Sequence, residues 1–215
     1  EVVVADGAGC CGALVHHMGR MGDSLGQAAR NIHAWSWERE VRGLDALIIN
    51  TSGCGTMVKD YGFIFREDPI LKEDAAWVSA MTKDVTEYLS TLDIPTKAPE
   101  LLRVAYHSAC SMQHGQKITD VPIQLLRNAG FDVVSPAEGH LCCGSAGTYN
   151  ILEPEIADRL KERKIANLQA TEPQVIAAGN IGCIAQLGSG TALPVVHTVE
   201  LLDWATGGQK PKRLN

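Results

Sequence analysis

His140-Leu141-Cys142-Cys143-Gly144-Ser145 decides how the chain is read, because Gly9-Cys10-Cys11-Gly12-Ala13 anticipates it, with an offset of 132 from Cys10 to Cys142. A second landmark recurs at nearly the same spacing: Asn50-Thr51-Ser52-Gly53-Cys54 resembles Asn180-Ile181-Gly182-Cys183, with an offset of 129 from Cys54 to Cys183. Self-similarity of this kind marks a duplicated structural unit. The segments between the landmarks agree in type. Residues 24–40 carry Leu25, Ala28, Ala29, Ile32 and Trp35 or Ser36 at helical spacing, and the apolar run Ala46-Leu47-Ile48-Ile49 follows. Residues 155–168, opened by Pro154, carry Ile156, Leu160, Lys164 or Ile165 and Leu168, and Val175-Ile176-Ala177-Ala178 follows.

Upstream of the second pair, residues 102–107 read as a strand ending near Cys110, 118–128 as a helix closed by Gly130, and 131–134 as the next strand. Residues 2–5 read as a strand before Cys10, 69–92 as one long helix, and 93–100, with Pro95 and Pro99, as a linker. Residues 193–196 and 199–205 supply a last strand and helix. Strands alternating with helices predict an α/β fold: two pseudo-repeated βαβ-type units with parallel sheets and cysteine loops at the strand carboxyl ends. The first repeat with its connecting helix takes 1–92 and the second takes 93–215. The chain begins Glu1-Val2-Val3-Val4, inside what reads as a strand, and a first-copy counterpart of Cys110 would fall before Glu1. That predicts an amino-terminally truncated first copy within a longer protein.

Composition excludes several functions. A formal charge of -6 with only 5% aromatic residues lacks the basic footprint and stacking rings of a nucleic-acid binder. No apolar run approaches the roughly 20 residues that span a bilayer, so membrane association is expected only peripherally. Walker, His-Glu-x-x-His and Gly-x-Ser-x-Gly motifs are absent from the sequence, which leaves phosphotransfer and hydrolysis without support. Gly7-Ala8-Gly9-Cys10-Cys11-Gly12 fits the dinucleotide pattern, but no acidic residue follows on a second strand, and the second copy keeps the cysteines while losing two glycines. The repeated glycine is read instead as room for close backbone approach to a bulky group.

The seven cysteines, Cys10, Cys11, Cys54, Cys110, Cys142, Cys143 and Cys183, are an odd number in a chain large enough to bury its own core. That argues against a disulfide framework and for metal or redox chemistry. Parallel α/β architecture gathers strand carboxyl ends on one side of a sheet, so Cys110, Cys142, Cys143 and Cys183 can converge there. Four thiolates suit an iron–sulfur cluster or zinc. Adjacent cysteines chelate one tetrahedral ion poorly but can ligate different irons, which tilts the choice towards iron–sulfur. Buried structural cysteine and vicinal dithiol exchange are the competing readings. His16, His17 and His107 are the histidines best placed to stand in for a missing thiolate.

Cys110, 31 residues, Cys142-Cys143, 39 residues and Cys183 together resemble the cysteine-rich CCG domain, which occurs twice in one of the subunits of heterodisulfide reductase and in its relatives. The motifs around Cys10, Cys54, Cys142 and Cys183 are most similar to the glycolate oxidase iron–sulfur subunit family, over essentially the whole chain. In that family each repeat ends in Cys-x-x-Cys; here Thr51 and Asn180 occupy the first position of that pair. The resemblance implies a cluster held by Cys110, Cys142, Cys143 and Cys183, of 4Fe-4S type, and zinc or an uncertain occupant at Cys10, Cys11 and Cys54. It implies an electron-transfer subunit of a glycolate (2-hydroxy acid) oxidase or dehydrogenase, relaying electrons from an FAD-containing partner subunit to a quinone-type acceptor. It further implies an amino-terminal ferredoxin-like region of the same protein and a cytoplasmic location, peripheral at the inner face of the membrane. The alternatives are a zinc-binding or metal-free docking scaffold, and a thiol/disulfide redox module like the heterodisulfide enzymes.

Overall fold

Val175-Ile176-Ala177-Ala178 is apolar at every position and buried at every position, as a strand covered on both faces of a parallel sheet must be. A computed structural model describes residues 1–214 and divides the chain into two compact units, Glu1–Ile49 with Gly53–Asp84, and Asn50–Ser52 with residues 85–214.

In the first unit, α1 (Ala13–His17) and α2 (Met21–Arg42) precede β1 (Leu47–Ile49). Then come α3 (Ser52–Lys59, counted in this unit from Gly53), α4 (Tyr61–Ile64), α5 (Lys72–Met81) and β2 (Thr82–Asp84). β1 and β2 pair in parallel, with Leu47 opposite Thr82 and Ile49 opposite Asp84. Ala28, Ile32, Val58, Tyr61, Ala75 and Val78 are buried in its core.

The second unit runs α6 (Val85–Leu89), β3 (Arg103–His107), a π-helical turn (Ser111–Gly115), α7 (Val121–Asn128) and β4 (Asp132–Val134). It continues through α8 (Tyr149–Leu152), α9 (Pro154–Gln169), β5 (Val175–Ala178), α10 (Ile181–Gly188), β6 (Val195–His197), α11 (Thr198–Ala205) and a 3-10 turn (Lys212–Leu214). Its four strands are all parallel in the order β4-β3-β5-β6. The chain leaves β3 to one side for β4 and returns to the other side for β5. Open parallel sheets bind ligands in the crevice at such a switch in strand order, outside the carboxyl ends of the strands.

The α/β fold with parallel sheets is as expected, and several elements are not. Residues 2–5 form no strand: Val2 and Val4 are 96% and 88% exposed, and no strand among the described residues pairs with them. The long helix expected over 69–92 is broken by β2. The run Thr82-Lys83-Asp84-Val85-Thr86 is poor in strong helix formers, and parallel pairing with β1 outweighs the modest propensity of extending α5. Thr82 closes α5 by donating its hydroxyl to the Val78 carbonyl at 2.7 Å. Cys54 and Cys183 lie not in loops but in the first turns of α3 and α10, each the third residue of its helix. The helix expected over 118–128 starts only at Val121, with Pro122 in its first turn, and Gly130 follows its end at φ +98°, as expected.

Candidate metal centre

The two Cys-Cys-Gly loops are built alike. Gly12 has φ +86° and Gly144 φ +89°, a conformation that side chains rarely adopt. A Cβ on Gly12 would meet the Ser24 carbonyl oxygen on α2 at 2.9 Å, and one on Gly144 would collide with the Ala157 carbonyl oxygen on α9. The glycine therefore serves close contact with the helix that follows each pair. Each loop is pressed against its helix, which fixes the backbone that carries the two cysteines.

At the first pair, Asn31 on α2 clamps the loop. The Gly9 N–H donates to Asn31 Oδ1 at 2.7 Å, and Asn31 Nδ2 donates to the Cys10 carbonyl at 3.1 Å. The buried Tyr61 hydroxyl donates to the Cys11 carbonyl at 2.8 Å and receives Asn31 Nδ2 at 3.3 Å. A hydrogen bond from Cys54 lowers the Cys11 thiol to about 6, and the same contact with burial pushes Cys54 up. Cys10 is exposed and Cys11 buried. Three thiols thus meet here. Replacing Tyr61 by phenylalanine is expected to leave the Cys11 carbonyl unpaired and cost about 1–2 kcal/mol, read from the urea unfolding midpoint.

The second pair lies at the switch point. Cys110 follows β3 and Cys183 follows β5, the two adjacent central strands, and the Cys142-Cys143 loop lies on the crossover from β4 to β5. The thiols form a connected series. Hydrogen bonding from Cys110, and next from Cys143, holds Cys142 far below the ordinary thiol range, assisted by the Gly144 N–H donating to its Sγ at 3.3 Å. Cys143 likewise lowers Cys183 to about 5, with His107 adding to the effect. The donors shift the other way: contact with Cys142 raises both Cys110 and Cys143. The thiolate is the metal-binding form, and these contacts favour it at Cys142 and Cys183 and disfavour it at Cys110 and Cys143. A ring nitrogen of His107 and the Sγ atoms of Cys143 and Cys183 lie within 4.8 Å of one another, all three residues buried. All seven cysteines are free thiols.

All four second-copy cysteines named from the sequence are therefore brought together, as are the three of the first copy. Of the three histidines, His107 joins a centre with this proximity, whereas His16 and His17 stack edge to face with ring centroids 6.2 Å apart. Thr51 and Asn180, the two positions where the resemblance expects cysteine, are engaged otherwise. Thr51 Oγ1 accepts the Ile181 N–H at 3.0 Å. Asn180 Oδ1 caps α10 by accepting the Gly182 N–H at 2.8 Å, while its Nδ2 donates to Ser52 Oγ and Ser111 Oγ at 3.1 and 3.2 Å.

Sequence reasoning missed Lys164 as a site residue. It is fully buried, and its ammonium donates to the carbonyls of Glu138 at 2.8 Å and Gly139 at 3.3 Å, in the loop that leads to Cys142. Burial pushes its pKa down, while the thiols of Cys110, Cys143 and Cys142 pull it up. The signal was in the periodicity: a lysine on the apolar stripe of α9 needs a partner. Glu138 is tied to α9 as well, by Arg163 Nε and Asn167 Nδ2, each at 2.8 Å.

The cysteine-rich CCG domain matches residues 1–59 and 104–188, the two segments that carry the Cys-Cys-Gly loops and the cysteine helices. The chain belongs to the CCG-domain family. Among its relatives, the glycolate oxidase iron–sulfur subunit of Escherichia coli (strain K12) is 35% identical over 206 residues, covering 95% of this chain and 50% of that protein. The probable glycolate oxidase iron–sulfur subunit of Bacillus subtilis (strain 168) is 31% identical over 220 residues, covering 96% of the chain and 48% of the relative. Lactate utilization protein A of Geobacillus thermodenitrificans (strain NG80-2) is 25% identical over 213 residues, covering 94% and 86%. The chain spans about half the length of the two glycolate oxidase relatives. Among the described residues, no helix of this CCG protein is long and apolar enough to cross a membrane.

Proposed function

We propose that the chain is an iron–sulfur electron-transfer module of a complex that oxidises a 2-hydroxy acid, glycolate in the first instance. The observation that carries this reading is the convergence of Cys110, Cys142, Cys143, Cys183 and His107 at one switch point of the sheet. Soft thiolates select iron–sulfur clusters or zinc over hard cations, and the adjacency of Cys142 and Cys143 favours a group with several metal atoms. A bound cluster, of 4Fe-4S type in this reading, supplies one-electron storage. The four cysteines hold it, the Cys-Cys-Gly loop orients two of them from the α9 side, and the buried positions of Cys143 and Cys183 keep water from the sulfurs.

The hydride equivalent of the hydroxy acid goes to a flavin on a partner subunit, and this chain passes single electrons from there towards a quinone-type acceptor. The names of the glycolate oxidase and lactate utilization relatives support that class of substrate. The partners in this reading are the flavin subunits and an amino-terminal ferredoxin-like region of the same protein, with contact to the cytoplasmic membrane at its periphery. Residues 1–92 and 93–215 act as two CCG repeats. For the first, the presence of only three thiols, with Cys10 exposed, favours zinc or no metal and a docking role.

Anaerobic isolation followed by iron, sulfide and zinc analysis, with EPR of the dithionite-reduced protein, tests the reading. Iron and sulfide with a reduced-state signal are expected; their absence after anaerobic reconstitution would overturn it. Lys164→Met removes the ammonium's hydrogen bonds to the Glu138 and Gly139 carbonyls, which keep only the Leu141 N–H and the Gln113 amide as donors, and is expected to cost about 1–3 kcal/mol in urea unfolding. The same variant removes a cation from beside the thiolates, so its reduction potential is expected to fall in a redox titration.

A further inference from the structure

His107 is the last residue of β3, where it lies opposite Ala178 of β5. Its backbone is thus held by the central strand pair that also leads to Cys183. The side chain is 1% exposed, and neither Nδ1 nor Nε2 meets a nitrogen or oxygen partner; the neighbour it acts on is the Cys183 thiol, which it helps to lower. A neutral imidazole carries one donor and one acceptor, and leaving either without a partner in the interior is costly. A buried polar group of this kind, set beside two buried thiols, calls for an occupant of the space it faces. What it faces is known: a ring nitrogen lies within 4.8 Å of both the Cys143 and the Cys183 sulfur. No carboxylate belongs to this group of ligand atoms, and Asn180 nearby has both ends of its amide spent on α10 and on Ser52 and Ser111.

We infer that His107 is a direct ligand of the metal group at the second centre, its imidazole nitrogen taking one of the four terminal positions of the cluster in place of one of the thiolates of Cys110, Cys142, Cys143 and Cys183. This rests on the iron–sulfur reading above and adds to it a mixed nitrogen and sulfur donor set. An imidazole in place of a thiolate brings no negative charge, and histidine ligation raises cluster potentials relative to all-cysteine ligation. The expected signature is therefore twofold: histidine nitrogen coupled to the cluster spin, and a potential that falls when the imidazole becomes a thiolate.

The test uses the intact protein, isolated anaerobically from cells supplied with 15N-histidine and reduced before pulsed EPR. Strong hyperfine coupling to histidine nitrogen is expected in the unaltered protein and its loss in His107→Cys, which retains iron and sulfide and titrates at a lower potential. The measurement on the unaltered protein needs no variant to fold. His107→Gln, which fills the space without a metal-binding nitrogen, is expected to lose the coupling and most of its bound iron. An iron–sulfur protein with only weak nitrogen coupling, or with strong coupling unchanged in His107→Cys, overturns the histidine assignment and leaves the cluster reading standing. Absence of iron and sulfide from the unaltered protein overturns the cluster reading itself, and the histidine assignment with it.

Discussion

Replacing Cys142 by serine is expected to bring the iron and sulfide of the second centre to background and to erase its reduced-state EPR signal. Cys142 is the hub of the thiol series: it accepts hydrogen bonds from Cys110 and Cys143, and the Gly144 N–H points at its sulfur. Those contacts favour its thiolate, the form that binds metal. A serine hydroxyl stays protonated there and offers a hard oxygen where soft sulfur is required. The substitution is nearly isosteric and Cys142 is only half-buried, so the fold is expected to survive, with urea unfolding as the check. Cys10→Ser is the matched control. Cys10 is exposed and belongs to the other unit, so the second centre's signal is expected to persist. An unchanged spectrum in Cys142→Ser would move the cluster elsewhere.

Gly144→Ala is expected to be the most destabilising single-methyl change in the second unit. Its φ of +89° costs an alanine about 1–2 kcal/mol. The added Cβ also collides with the Ala157 carbonyl oxygen, which belongs to the backbone of α9 and cannot rotate aside. Overpacking of this kind costs about 1–3 kcal/mol more, and relief requires the loop to shift, taking Cys142 and Cys143 with it. A loss of stability with impaired metal uptake is therefore expected. Gly12→Ala should have a smaller effect, because its Cβ would meet the Ser24 oxygen at the longer distance of 2.9 Å. The ordering of the two urea midpoints checks the argument; equal midpoints would mean that the clash at Ala157 relaxes freely.

Much of the fold was legible because its signals are local. The apolar run at Val175–Ala178, the periodic stretch of α9 after Pro154, and Gly130 closing α7 each state their conformation within a few residues. β2 was not legible. Thr82–Asp84 is a strand only because β1 lies beside it, and that is a property of residues 35 positions away in the chain. Residues 2–5 show the converse: a strong strand composition without a neighbour makes no strand. The candidate centre divides in the same way. Cys110, Cys142, Cys143 and Cys183 could be named from their spacing, and Lys164 left a trace as a charge on an apolar stripe, but nothing local distinguishes His107 from His16 or His17.

By itself, the sequence determined the α/β class and the cysteines that recur at matched spacings, since periodicity and spacing survive without coordinates. Only the tertiary structure decided which cysteines gather with which histidine. The strand order β4-β3-β5-β6 sets Cys110 and Cys183 just beyond the carboxyl ends of adjacent strands although 73 positions separate them, and turns the last residue of β3 inward as a buried imidazole. Parallel pairing, a long-range hydrogen-bonding choice, fixed that meeting point.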